Sequence, residues 1–231
     1  MMKVLVIFAS FCSSGFGFFG SLEERGNKIV GGQKSPVHYP YQLSLQKFSP
    51  TYGFFARKNF THFCGAAIVG ENHLLTAAHC VDNQNISRIF ALAGTSSLKD
   101  TSSGSRHSIL SCLVHPEYTK LAFNTTSQND IALCKVQIPF VFDKSVAKIA
   151  LDRTFIEGDV NATLTGWGSV RRFRWLPLPF YDDFAYPNDL QRAFVQTISN
   201  GKCKEKHSEI SKSQLCTFGG NSKGACSGWV E

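Results

Sequence analysis

Short apolar or alternating runs, nearly all closed by Gly, Pro or Asn, dominate this chain and leave little room for a helical architecture. "YQLSLQ" (Tyr41–Gln46) alternates in the manner of a half-buried strand, and "FCGAAIV" (Phe63–Val69) is a continuous apolar run ending at a Gly-Glu-Asn-His turn. "LLTAAHC" (Leu74–Cys80) follows that turn, with His79 just after an apolar strand, and "DIALCKV" (Asp130–Val136), "ATLTGWG" (Ala162–Gly168) and "RAFVQTI" (Arg192–Ile198) read as further strands. Only the segment from Lys202 to Leu215 suits a short helix. The pattern predicts an all-β protein and, by itself, leaves sandwich and barrel open. Two aromatic-rich insertions, Lys47–Thr61 and Ser169–Pro187, have the length of functional loops.

The beginning of the chain has a different texture. Met1-Met2-Lys3 gives a positive start, Val4–Phe11 is apolar, and small residues recur through Gly20. That layout predicts a signal peptide over residues 1–20 and a secreted, extracellular protein. No run approaches the ~20 apolar residues that cross a bilayer. With 43% hydrophobic and 18% charged residues the remainder is globular in composition. Four sequons, at Asn59, Asn85, Asn124 and Asn161, fit a glycosylated surface. Export also makes the cysteines informative, because disulfides persist in oxidising compartments. Without Cys12 an odd number is left, and Cys226 is expected to be the unpaired one.

"KIVGG" (Lys28–Gly32), "LLTAAHC", "NDIALCKV" (Asn129–Val136), "LTGWG" (Leu164–Gly168) and "KGACSG" (Lys223–Gly228) occur in this order, and together they resemble the chymotrypsin-like serine proteases. The resemblance runs from about Ile29 to Gly228. It implies two six-stranded antiparallel β-barrels, the second incomplete at its C-terminal side. It also implies a short activation propeptide over residues 21–28, cut between Lys28 and Ile29, and a protease domain over residues 29–231 without its C-terminal segment.

In such enzymes a serine hydroxyl attacks a carbonyl, a histidine takes its proton, and an aspartate fixes the histidine's tautomer. His79 matches the histidine and Asp130 the aspartate. His38, His62, His73, His107, His115 and His207 are read as surface or structural. Cys64–Cys80 and Cys203–Cys216 resemble two family disulfides. Cys112 and Cys134 fall on strands that neighbour each other in the related fold, and a cross-strand bridge or two buried thiols both remain open. His73, His79 and Cys80 lack paired zinc-ligand spacing, so no metal and no other cofactor is expected.

The tail departs from the family. After Gly-Ala-Cys-x-Gly the motif continues Asp-Ser-Gly-Gly, whereas here Trp229, Val230 and Glu231 follow Gly228. Val230 stands at the nucleophile's position and has no hydroxyl. Gly228 matches one oxyanion-hole donor. The expectation is an inactive chain that reflects a truncated or misassembled coding sequence, with a non-catalytic binding module as the alternative. Gly224 matches the floor of the primary specificity pocket. An uncharged floor suits large apolar or aromatic side chains, a chymotrypsin-like preference.

The formal net charge is +7. "RRFRW" (Arg171–Trp175) is read as a solvated loop, although it could attract an acidic partner. The expected partners are protein or peptide substrates and an activating trypsin-like protease. No nucleic acid or membrane is expected, and the chain is expected to be a monomer.

Overall fold

The computed structural model describes residues 33–50, 58–119, 127–152, 154, 156–168, 170–172, 183–185, 187–205 and 210–218. Six strands close into an antiparallel barrel: β2 (Gln42–Pro50), β3 (Lys58–Gly70), β4 (His73–Thr76), β5 (Ile89–Ala93), β6 (Ser105–Val114) and β7 (Ala132–Val136). Their order around the barrel is β2-β3-β4-β7-β6-β5. Closure requires the strands to coil, and irregularities in register supply the bends. One lies at Leu45/Gln46 opposite Cys64 and His62, one between Ile68 and Gly70, and one between Ile109 and Ser111.

The barrel interior follows the period-two pattern. On β7 the side chains of Ala132, Cys134 and Val136 are buried while Leu133 and Lys135 are exposed. They join Leu43, Leu45, Ile68, Leu74, Ile89 and Phe140 in one core cluster. Every strand finds two neighbours, so the barrel has no free edge.

Beyond that barrel the described residues hold a four-stranded sheet and no second closed barrel of the kind the resemblance implies. Its centre is β11 (Gln191–Ile198), with β8 (Asn161–Gly166) along one side. On the other side β1 (Gln33–Lys34) pairs near Gln191 and β12 (Cys216–Phe218) pairs near Ile198. Ala162, Leu164 and Val195 form its small core, with Leu215 packed against them. A two-stranded ribbon of β9 (Val170–Arg172) and β10 (Asp183–Ala185) occupies part of the second insertion.

The sheet and the barrel meet through buried polar and aromatic contacts. Thr165 Oγ1 donates to Gln42 Oε1 at 2.6 Å, and the His62 imidazole meets the Trp167 indole edge-on at 5.7 Å. Both Gln42 and His62 belong to barrel strands, so a polar core side chain here serves to register one unit against the other.

Candidate active site

The strand β4 ends at Thr76, whose Oγ1 donates to the Gly65 carbonyl at 2.9 Å. Ala77 is extended, and the chain then turns into α1 (Ala78–Val81), a single helical turn just after the strand. That turn lifts His79 out of the barrel wall while Ala78, Cys80 and Val81 stay buried. Cys80 is disulfide-bonded to Cys64 on β3, so the histidine's immediate neighbour is fixed to the wall. A bridge over 16 residues stabilises by about 3 kcal/mol in the loop-entropy account.

Asp130 enters from the other direction. Asn129 has a left-handed backbone with φ 51°, and Ile131 N–H donates back to the Asn129 carbonyl at 2.8 Å. The aspartate is therefore the central residue of a three-residue turn just ahead of β7. His115 N–H closes the register by donating to the Ile131 carbonyl at 3.0 Å.

These two local structures bring together residues 51 positions apart. His79 Nδ1 lies 2.7 Å from Asp130 Oδ2, and the His79 backbone N–H donates to Asp130 Oδ1 at 2.8 Å. A carboxylate only accepts, so the shared proton sits on Nδ1 and leaves the Nε2 lone pair available. The histidine side chain is 34% exposed and the aspartate 11%, which gives a shielded anchor and an accessible base. The geometry can accept a proton from a hydroxyl that reaches Nε2 and return it to a leaving group.

Around the pair the environment is partly apolar. Burial, and then the negative charge of Asp130, push the Tyr118 phenol above its usual range. Nearby on the barrel, His62 is buried with Nδ1 2.8 Å from Ser44 Oγ, and burial pushes its pKa down to about 3. His107 is also buried, held between Ser105 Oγ and the Ile138 carbonyl. Both are structural. Cys64, His79 and Cys80 place potential metal-binding atoms within 4.8 Å of one another, but the two sulfurs are bonded to each other and offer no thiolate.

The remaining cysteine readings separate. Cys203 on α2 (Asn200–Lys204) is bonded to Cys216 on β12, as the resemblance implies. Cys112 and Cys134 stand directly opposite each other on β6 and β7 and form a cross-strand disulfide, which decides the open alternative. Asn59, Asn85 and Asn161 are exposed, and the Ser87 hydroxyl of one sequon donates to Asn85 Oδ1 at 2.6 Å. Lys28, Ile29, Asn124, Gly224, Cys226, Gly228 and Val230 lie outside the described residues. Sequence reasoning gave no role to Asn129, although an Asn before the aspartate is itself a signal for left-handed backbone.

The family description Trypsin matches residues 29–228. The chain belongs to the trypsin family. Among curated relatives it is 30% identical to Chymotrypsin-2 of Vespa crabro over 203 residues, which is 87% of this chain and 79% of that protein. It is 30% identical to Trypsin-1 of Astacus astacus over 196 residues, 81% of this chain and 73% of the relative. It is 33% identical to Serine proteinase stubble of Drosophila melanogaster over 183 residues. That match takes in 77% of this chain but only 21% of stubble. Among the described residues no helix is long and apolar enough to cross a membrane.

Proposed function

We propose that this trypsin-family domain is the secreted framework of a serine endopeptidase, with His79 as general base and Asp130 as its orienting group. The observation that carries the reading is the two-point contact between them, through Nδ1 and the backbone N–H of one residue. Protein or peptide substrates follow from the family. Release of Ile29 by cleavage after Lys28 by a trypsin-like protease, and an apolar specificity pocket above Gly224, are carried over from the matching motifs. So is the second six-stranded barrel, of which the sheet of β1, β8, β11 and β12 would be the described portion. Asn59, Asn85, Asn124 and Asn161 are proposed carbohydrate acceptors on a monomeric protein.

Within the 231-residue chain, Val230 occupies the nucleophile's position and cannot form an acyl intermediate. Loss of the serine alone costs on the order of a million-fold in turnover in a related mechanism. The 231-residue chain is therefore proposed to be proteolytically inert. A second reading, capture of peptides without cleavage, is favoured by the assembled His79–Asp130 pair and the closed barrel.

The test is to cleave the secreted chain after Lys28 and offer fluorogenic peptides ending in Phe, Leu or Lys. The expected result is no hydrolysis with any of them. Turnover that disappears in His79→Ala would overturn the inert reading. Saturable binding of the same peptides, measured by anisotropy, would support the capture reading, and its absence would remove it.

A further inference from the structure

We infer that Asn129 is a positioning residue for the His79–Asp130 pair, acting through its left-handed backbone and its side-chain amide; the inference rests on the base-and-orienter reading above. Three observations converge on this residue. Its φ of 51° reverses the chain immediately before the aspartate. Its carbonyl accepts the Ile131 N–H at 2.8 Å, which closes the tight turn with Asp130 at the apex. Its Nδ2 donates to the Glu117 carbonyl at 3.0 Å, which ties the turn to the neighbouring 115–119 segment.

That neighbouring segment is itself fixed. Thr119 and Gln128 exchange both backbone hydrogen bonds at 3.2 Å, Tyr118 N–H donates to the His115 carbonyl at 2.9 Å, and His115 N–H donates to the Ile131 carbonyl at 3.0 Å. Asn129 thus sits inside a frame whose two sides are held at residues 128 and 131, with its amide supplying the connection between them. A carboxylate carried on an ordinary extended residue would follow the strand's alternation. The turn instead points both oxygens of Asp130 at a single residue, one toward Nδ1 and one toward the backbone N–H of His79.

Asparagine is suited to both tasks at once. It tolerates left-handed backbone better than other residues with a side chain, glycine apart, and it carries a donor. Glycine would satisfy the backbone requirement without the anchor, and alanine would satisfy neither. This difference separates the two contributions experimentally.

The experiment uses the full chain labelled with ¹⁵N and follows the downfield His79 Nδ1–H resonance together with the Trp167 indole resonance as a monitor of folding. The wild-type chain is expected to show the Nδ1–H signal. Asn129→Ala should lose it while the Trp167 signal is retained. Asn129→Gly should keep it but exchange its proton with solvent about tenfold faster, as local opening at the turn becomes easier. If Asn129→Ala fails to fold, Asn129→Gly decides alone. An unchanged resonance and unchanged exchange rate in the folded variants would overturn the positioning role and leave the base-and-orienter reading standing. A wild-type chain without the signal would overturn that reading and this inference with it.

Discussion

Asp130 spends both carboxylate oxygens on His79, Oδ2 at 2.7 Å from Nδ1 and Oδ1 at 2.8 Å from the backbone nitrogen. The first contact sets the tautomer, and the second fixes where the ring's attachment point lies.

The pair makes the tautomer a measurable quantity. Asp130→Asn would offer His79 an amide that can present its carbonyl or its NH₂. The backbone N–H of His79 needs the carbonyl, which leaves the NH₂ facing Nδ1. The ring proton is then expected to move from Nδ1 to Nε2, and ¹⁵N imidazole shifts would show the exchange. A variant whose proton stays on Nδ1 would contradict the two-point geometry. Losing one charge-assisted bond should also cost roughly 1.5–3 kcal/mol in urea unfolding.

The two barrel disulfides should be separable by function. Cys64→Ala with Cys80→Ala, and Cys112→Ala with Cys134→Ala, each remove a bridge that closes 16 or 22 residues. Each should lower stability by about 3 kcal/mol, read as a shift in urea midpoint. Only the first borders His79, so only that variant should broaden the His79 Nδ1–H resonance. Equal broadening in both would remove the distinction.

Stability should depend on pH through His62. Its folded pKa is pushed down to about 3 from an ordinary 6.5 by burial, so the unfolded chain binds more protons across that interval. The contribution is fully present above pH 6.5 and is lost as pH falls toward 3. Within the window the slope from this one group is about 1.4 kcal/mol per pH unit. His62→Gln should flatten the unfolding free energy against pH between 6 and 4 relative to the wild type. An identical slope in both would show that another group titrates instead.

The sequence announced some of this fold and concealed the rest for identifiable reasons. Strands β2, β3 and β7 are legible because alternation or an apolar run survives along them. Strand β6 is not, because the register shift between Ile109 and Ser111 leaves Leu110 exposed beside buried Ile109 and breaks the period. His79 and Asp130 could be named from their motifs, yet nothing local predicts that a one-turn helix and a three-residue turn would bring them together. The Cys112–Cys134 bridge depends on strand register, a long-range property that spacing along the chain does not encode. Asn129 was visible within its motif, but its role emerges only when Glu117 is seen to receive its amide.

The His79–Asp130 pair is formed, while the proposed nucleophile position, 230, carries valine in place of serine. The most direct measurement is intact-mass analysis of the folded, Lys28-cleaved chain after exposure to a fluorophosphonate. An unshifted mass is predicted, alongside a His79 Nδ1–H signal showing that the pair is intact. A covalent adduct on any hydroxyl of the wild-type chain, abolished by His79→Ala, would contradict the account.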